Sequence, residues 1–205
     1  MNRSQPARLF LLVVLALPLA ACSLAPVSER EGLREHWRPP DWTAWRLTGR
    51  ISVHYGEEGW HAGLVWRQSP ETFDLRLQGP LGQGALLLQG DGDRVALQDA
   101  RGQRDTAGDA ETLMRQHLGW ELPVSGLRYW VRGEAQPGPT AQWQRDVEGR
   151  PEQLIQSGWQ IDYSRYQPAP GGGTLPGRID FERPDLQARL IIDRWEAIDG
   201  GGSGR

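Results

Sequence analysis

The chain has 205 residues and a formal net charge of −3, and 38% of its residues are apolar. This length allows one domain with a substantial core and is short for two. The acidic balance argues against a nucleic-acid-binding protein, which needs a basic surface. With Cys22 as the only cysteine, no intrachain disulfide can form, so the fold must be stabilised by its core.

Residues 1–21 have the pattern of an export signal that is removed from the mature protein. An arginine-containing start is followed by an apolar run from Leu9 to Leu19, which is too short to span a bilayer, and then by two alanines. Leu19-Ala20-Ala21-Cys22 resembles the lipobox of bacterial lipoproteins, in which the cysteine becomes the acylated first residue. Ser23 follows in place of aspartate, which by the same resemblance indicates the outer membrane. We therefore expect a lipid anchor at Cys22.

The mature chain begins with a short tether and then changes to the period-two pattern of strands. Residues 22–27 are small or proline-rich, and Ser28 opens a capping pattern for a short helix that Pro39-Pro40 must end. A single domain is predicted for residues 28–198. Apolar residues then alternate with polar ones, which predicts half-buried strands. The alternating set is Trp45, Leu47, Ile51, Val53, Tyr55, Trp60, Ala62, Leu64, Trp66, Phe73, Leu75 and Leu77.

The stretch LRLQGPLGQGALLLQG, residues 75–90, places a leucine in a turn. Its ends predict strands, and Gly79 to Gly84 has the composition of a loop. Leu81 sits between Pro80 and Gly82, where it can hardly reach the core. The alternative is a leucine folded back onto the sheet, which is the commoner case.

After two more short strand signals the period changes to that of helices. Apolar residues from Ala110 to Leu118 fall at helical spacing after Asp109, Gly119 is suited to a helix end, and a second short helix is predicted after Pro123. Strand patterns return from Gln142. Residues 168–177 are predicted as a flexible connection, and the glycine-rich tail 199–205 as a flexible end.

The order of strands, helix pair and strands predicts a mainly β protein. A sandwich, a closed barrel and a curved open sheet all fit the strands alone. The helix pair must bury its apolar stripe, and the concave face of an incompletely closed barrel can receive it. We therefore predict an unclosed antiparallel β-barrel in which a short helical lid covers an apolar cavity. The predicted cavity residues are Trp45, Leu47, Ile51, Leu64, Trp66, Phe73, Leu75, Leu113, Met114, Leu127 and Trp130.

Residues that could perform catalysis do not form a recognisable pattern. The four histidines lack metal-binding spacing, and neither a nucleophile elbow nor a phosphate-binding loop occurs. A carboxylate pair for glycoside cleavage could come from Asp162, Asp180, Glu182 or Asp193, but each alternates with apolar neighbours and is expected to face water. The ten tryptophans suit either an ordinary core or the wall of an apolar cavity. We expect no enzyme activity, no metal and no cofactor besides the covalent lipid.

Together these motifs resemble the LolB family of outer-membrane lipoprotein receptors. The resemblance rests on the lipobox, GRISVHY, the 75–90 stretch, the helix-pair segment and ARLIIDRW, and it runs from Cys22 to about Ile198. Gly79 departs from the asparagine frequent in the family at that point. The resemblance implies an unclosed barrel that accepts acylated lipoproteins from the periplasmic carrier LolA and delivers them to the inner leaflet of the outer membrane.

The same resemblance assigns a membrane-inserting role to the loop Pro80, Leu81 and Gly82. It implies a lipid-anchored protein that faces the periplasm, and we expect a monomer that does not bind nucleic acid. Two alternatives stay open: a lipoprotein that holds a small apolar ligand without transferring it, and a cell-envelope hydrolase.

Overall fold

The computed structural model describes residues 37–80, 84–91, 93–120 and 123–198. Some sequence-based predictions concern residues outside these ranges. They are the export signal 1–21, the acylated Cys22, the tether 22–27, the helix opened by Ser28, the loop residues Leu81 and Gly82, and the tail 199–205.

Strands dominate the described residues, and two helices interrupt them. In the first half lie β1 (Trp45–Tyr55), β2 (Glu58–Gln68), β3 (Thr72–Gln78), β4 (Leu86–Asp91), β5 (Val95–Gln98), β6 (Arg104–Ala107), α1 (Ala110–Leu118) and α2 (Val124–Trp130). In the second half lie β7 (Ala141–Arg145), β8 (Pro151–Gln156), β9 (Trp159–Ser164), β10 (Gln167–Pro168), β11 (Thr174–Leu175), β12 (Arg178–Arg183) and β13 (Leu186–Ala197).

Eleven of these strands form a single antiparallel sheet. Their order is β6-β5-β4-β3-β2-β1-β13-β12-β9-β8-β7, so the sheet ends at β6 on one side and at β7 on the other. Because β6 and β7 do not pair with each other, the barrel is not closed. The prediction of a mainly β, unclosed antiparallel architecture with two short helices is confirmed.

Alternation along β1 and β2 explains the inner and outer faces of the sheet. In β1, Trp45, Leu47, Ile51 and Val53 are buried, while Arg46, Thr48, Arg50 and Ser52 are polar and more exposed. Gly49 lies on the buried face at an irregular point, where β13 carries one extra residue, Asp193. A Cβ atom at Gly49 would overlap the carbonyl oxygen of Ile191, so the two strands can approach this closely only at glycine.

The prediction of a flexible connection over residues 168–177 is wrong. β10 and β11 form a small hairpin there, and Leu175 is fully buried. The segment before β1 covers it: the indole N–H of Trp37 donates to Oγ1 of Thr174 at 3.0 Å. Glycine and proline set the turn, but the apolar residues of the segment pack into the core and order it.

Candidate functional site

Helix α1 begins and ends with residues suited to those positions. A carboxylate oxygen of Asp109 accepts a hydrogen bond from the backbone N–H of Thr112 at 2.7 Å, which caps the first turn. Gly119 has the left-handed φ of 77° and donates its N–H to the carbonyl of Arg115. Among the described residues, neither helix is long and apolar enough to cross a membrane.

The two helices bury their apolar faces against the sheet and are joined to each other at the surface. Leu113 and Met114 of α1 and Leu127 of α2 are buried. One oxygen of Glu111 accepts hydrogen bonds from both the N–H and the hydroxyl of Ser125, at 3.0 and 2.8 Å. We call α1 and α2 together the lid, because both cover the buried face of the sheet.

Helix α2 is fixed to the sheet by a buried polar side chain. Gln156 of β8 is 1% exposed, and its carbonyl oxygen accepts from the indole N–H of Trp130 at 2.7 Å and from the N–H of Gln136 at 2.9 Å. Its amide nitrogen donates to the carbonyls of Gln136 and Pro139, each at 2.9 Å. The ring of Trp130 also lies against that of Trp159. This half of the lid is therefore anchored by one fully buried and three partly buried hydrogen bonds.

Helix α1 is fixed by a more exposed contact. His117 near its end pairs with Asp105 of β6, with 2.9 Å between Nε2 and Oδ2. Asp105 is opposite Leu97 in the sheet, so it lies on the inner face of the edge strand, on the side covered by the lid. Because the Asp105 side chain is 42% exposed, water competes for this bond.

Between the lid and the sheet lies a small apolar cavity. Its volume is about 30 Å³, room for about one or two water molecules. Every lining residue is apolar, so the cavity offers no polar group apart from indole nitrogens. The lining is formed by Ile51, Trp60, Leu64, Trp66, Leu75, Leu77, Met114, Trp120, Val124, Leu127, Val131, Phe181 and Leu190.

Six of the predicted cavity residues line this space: Ile51, Leu64, Trp66, Leu75, Met114 and Leu127. The other five lie elsewhere in or beside the core. Trp45 packs against Trp66 and Trp195, with ring centroids 5.2 and 5.5 Å away. Phe73 lies over Gly90 of the neighbouring strand β4, and Leu47, Leu113 and Trp130 are fully buried outside the lining. Their assignment to the acyl-chain site stays a prediction for a wider, open cavity.

The sequence signals for the remaining lining residues were present in part. Trp60 and Leu77 belong to the same alternating set as the predicted residues, and Phe181 and Leu190 alternate in the late strands. Pairing of β1 with β13 brings these distant strands to one wall, and alternation along one strand does not show that pairing.

Two tryptophans close the end of the cavity near the β3–β4 connection. Trp60 and Trp120 have ring centroids 6.1 Å apart and both line the cavity. β3 ends at Gln78, opposite Gly63 of β2, so Trp60 lies just beyond the point where the chain leaves the sheet toward Pro80. Pro80 is exposed. The cavity end and the start of this connection are therefore neighbours.

None of the described residues that line the cavity is ionisable, and the partly buried carboxyl of Glu134 is not among them. Burial raises the pKa of Glu134, which follows α2, above its ordinary value; Arg132 opposes the rise and Asp41 adds to it. In the part of the chain that the structure describes, no three His, Cys, Asp or Glu side chains come together as metal ligands. The site can hold apolar groups, and it has no charged residue to bind an ionic one.

Comparisons with known proteins agree with this arrangement. The model of the family described as outer membrane lipoprotein LolB matches residues 43–195. The chain belongs to the LolB family. It is 42% identical to the outer-membrane lipoprotein LolB of Nitrosococcus oceani, over 74% of this chain and 76% of that protein. Identity to the LolB of Stutzerimonas stutzeri is 38%, over 89% of this chain and 92% of the relative.

Solved structures show the same fold at low sequence identity. A putative outer membrane lipoprotein-sorting protein domain from Vibrio parahaemolyticus superimposes with a TM-score of 0.54 at 8% identity, covering 85% of this chain and 92% of that one. A LolA superfamily protein from Nitrosomonas europaea gives 0.51 at 10% identity, covering 82% and 91%. This chain and that LolA superfamily protein thus share one fold.

Family membership places this chain among the outer-membrane lipoproteins of the lipoprotein localisation system. LolB is a family of lipoprotein transport and not of enzymes, which argues against the hydrolase alternative.

Proposed function

We propose that this protein accepts acylated lipoproteins from the periplasmic carrier LolA in its apolar cavity and inserts them into the outer membrane. The observation that supports it best is a wall of apolar residues shared by the sheet and the lid, in a chain of the LolB family. Burying an acyl chain yields about 0.8 kcal/mol per CH₂, so a multiply acylated protein cannot cross water at a useful rate. Cargo must pass directly from one apolar cavity to another.

The transfer requires the lid to move. The space of about 30 Å³ is far too small for acyl chains, so α1 and α2 must separate from the sheet to admit them. Cargo then moves downhill without nucleotide hydrolysis, provided that it binds this protein more favourably than the carrier. We propose no cofactor for this cycle and a monomeric protein.

The anchor and the loop complete the proposal. Export removes residues 1–21, acylated Cys22 and the tether 22–27 hold the domain 28–198 at the membrane facing the periplasm, and 199–205 form a tail. Mass spectrometry of the membrane-extracted protein should show an acylated N-terminal cysteine; an unmodified mature protein would contradict the anchor.

Pro80, Leu81 and Gly82 are proposed to meet the bilayer beside the cavity end closed by Trp60 and Trp120. Burying one leucine in lipid yields about 1.5 to 3 kcal/mol, too little to anchor the protein but enough to orient it.

A transfer assay tests this function. The lipid-anchored protein in liposomes is mixed with carrier loaded with a fluorescent lipoprotein, and cargo uptake and insertion are measured separately. Leu81→Glu should leave uptake nearly intact and abolish insertion. Trp60→Glu should reduce uptake by placing a carboxylate at the cavity end, whereas Trp143→Glu, a half-buried tryptophan on β7 outside the cavity lining, should not.

Other results would exclude the proposal. A parent protein that takes no cargo from the carrier would favour the alternative of a small apolar ligand without transfer. Equal insertion by Leu81→Glu and the parent would remove the loop from the mechanism, and loss of uptake as well would place Leu81 at the cavity.

A further inference from the structure

A groove on the outer face of the sheet adjoins the start of the β3–β4 connection. It has a volume of about 500 Å³, and Gly79 and Pro80 form part of its wall. Its ionisable lining residues are Arg50, Arg165, Arg189 and His61, and none of the described residues that line it is acidic. In a chain of net charge −3 this is a locally basic surface. We call it the arginine groove.

Two of the three arginines are held in place by carboxylates that lie outside the groove. Arg50 pairs with Asp193, the extra residue of β13, with 2.9 Å between nitrogen and oxygen, and its side chain is still 69% exposed. Arg189 pairs with Asp180, whose carboxylate is shared with Arg178. One carboxylate, that of Asp180, thus serves two guanidinium groups.

The third arginine occupies a backbone conformation that arginine rarely adopts. Arg165 follows β9 with a φ of 54°, in the left-handed region, where glycine is common and other residues are not. Its carbonyl oxygen lies so close to Gly177 that a Cβ there would overlap it. In the described part of the chain no carboxylate pairs with Arg165. Its guanidinium is therefore available to an external anion.

We propose that the arginine groove binds the phosphates of phospholipid headgroups while cargo is being inserted. This inference rests on the proposed function, in which the loop after Pro80 meets the bilayer. Arginine suits this ligand because its planar group of donors matches phosphate oxygens. A membrane is favoured over an acidic protein partner, since Gly79 and Pro80 belong to the groove and lead directly into the loop. The groove then sets how the cavity end faces the membrane.

Cargo insertion into liposomes with and without phosphatidylglycerol tests the groove. The test variant combines Arg50→Gln, Arg165→Gln and Arg189→Gln; the matched control, Arg67→Gln with Arg94→Gln and Arg104→Gln, removes the same charge from another exposed region. Each arginine near an anionic surface strengthens binding about five-fold. Phosphatidylglycerol should therefore increase the insertion rate of the parent and of the control, and this increase should be at least ten-fold larger than in the test variant. Uptake from the carrier should be equal in all three.

A photo-crosslinker at Gln78, an exposed residue of the groove, identifies the occupant directly. Phospholipid adducts with the parent, reduced in the test variant, support the inference. Adducts with the carrier instead, or none with lipid, overturn it. Crosslinking needs no cargo, so it still decides the inference if the parent moves no cargo, a result that would refute only the proposed function. If the triple variant misfolds, the single variant Arg165→Gln is compared with the parent instead.

Discussion

The indole N–H of Trp130 donates to the side-chain oxygen of Gln156 over 2.7 Å, and both residues are buried. The same amide group also bonds three backbone groups of Gln136 and Pro139. In contrast, α1 meets the edge strand through the partly exposed pair of His117 and Asp105. The two halves of the lid are therefore attached with unequal strength, and α1 should separate first.

Removing Gln156 should be costly for folding. Gln156→Ala leaves the indole N–H of Trp130 and the backbone groups of Gln136 and Pro139 without partners, so we expect a loss of about 3 kcal/mol in the free energy of unfolding. Urea denaturation measures it. Gln153→Ala, on the same strand but with one exposed bond to Gln144 and one partly buried bond to Asp162, should lose clearly less. Similar losses in the two variants would contradict a buried anchor.

Breaking the outer contact should loosen α1 alone. His117→Ala removes a bond worth about 1 kcal/mol, so backbone amides of residues 110–118 should exchange hydrogen about five-fold faster. Hydrogen exchange followed by mass spectrometry reports this segment by segment. Arg101→Ala, which removes an exposed pair with Asp99, serves as the control and should leave α1 unchanged. Unaltered exchange in His117→Ala would show that other contacts hold the helix.

Most of the strands and the helix pair could be predicted from the sequence, through strand alternation and helix-end residues. Gly119 was identified as the end of α1 from its residue type, because capping is a local property, whereas the sequence marked Asp109 only as the point where the pattern changes. β6, with the sequence RDTA, gave no apolar signal. Its side chains at the edge of the sheet are exposed or only half-buried, so the strand needs no alternating apolar residues. The β10–β11 hairpin was missed because its burial depends on Trp37, more than a hundred residues away. The prediction that the barrel is open rested on the family resemblance and on the need to bury the apolar faces of a helix pair.

Gly49 should tolerate no side chain. A Cβ there would overlap backbone of β13, which cannot rotate away, so Gly49→Ala should lower the free energy of unfolding by about 3 kcal/mol or more. Thermal or urea denaturation tests this. In Gly63→Ala the new Cβ would lie 3.7 Å from the carbonyl oxygen of Gln78, an ordinary contact. That control should be neutral or slightly stabilising, and an equal loss in both would mean that strand glycines matter for another reason.

Stability near α2 should depend on pH through Glu134. Burial raises its pKa in the folded state, against the attraction of Arg132, so the folded protein holds this proton more tightly than the unfolded chain does. The stabilisation is complete below the pKa of the unfolded chain and is lost as pH rises through the folded value.

Glu134→Gln should therefore gain stability relative to the parent as pH rises from acid toward neutrality. Urea denaturation at a series of pH values measures the difference, and Glu57→Gln in the exposed β1–β2 turn is the control. A difference that shrinks with rising pH would reverse the sign and refute the assignment.

The site was accessible from sequence only in part. Leu64, Trp66 and Leu75 follow from alternation within neighbouring strands, which pair in register. The contribution of Phe181 depends on a strand that reaches the same wall only through β13. Trp130 was assigned to the cavity by its helical spacing, yet its indole N–H donates to Gln156. A pattern of apolar residues cannot predict this polar partner.

The unpaired ends of the sheet also bear on how many copies can share one membrane. An edge strand is a template for a strand of a neighbouring molecule, and proteins held on a surface meet their neighbours at high local density. Here β6 is only four residues long, carries Arg104 and Asp105, and is covered at Asp105 by His117 of α1. A short, charged and partly capped edge is a poor template for edge-to-edge aggregation, so this end of the open barrel is protected from pairing with a neighbouring molecule.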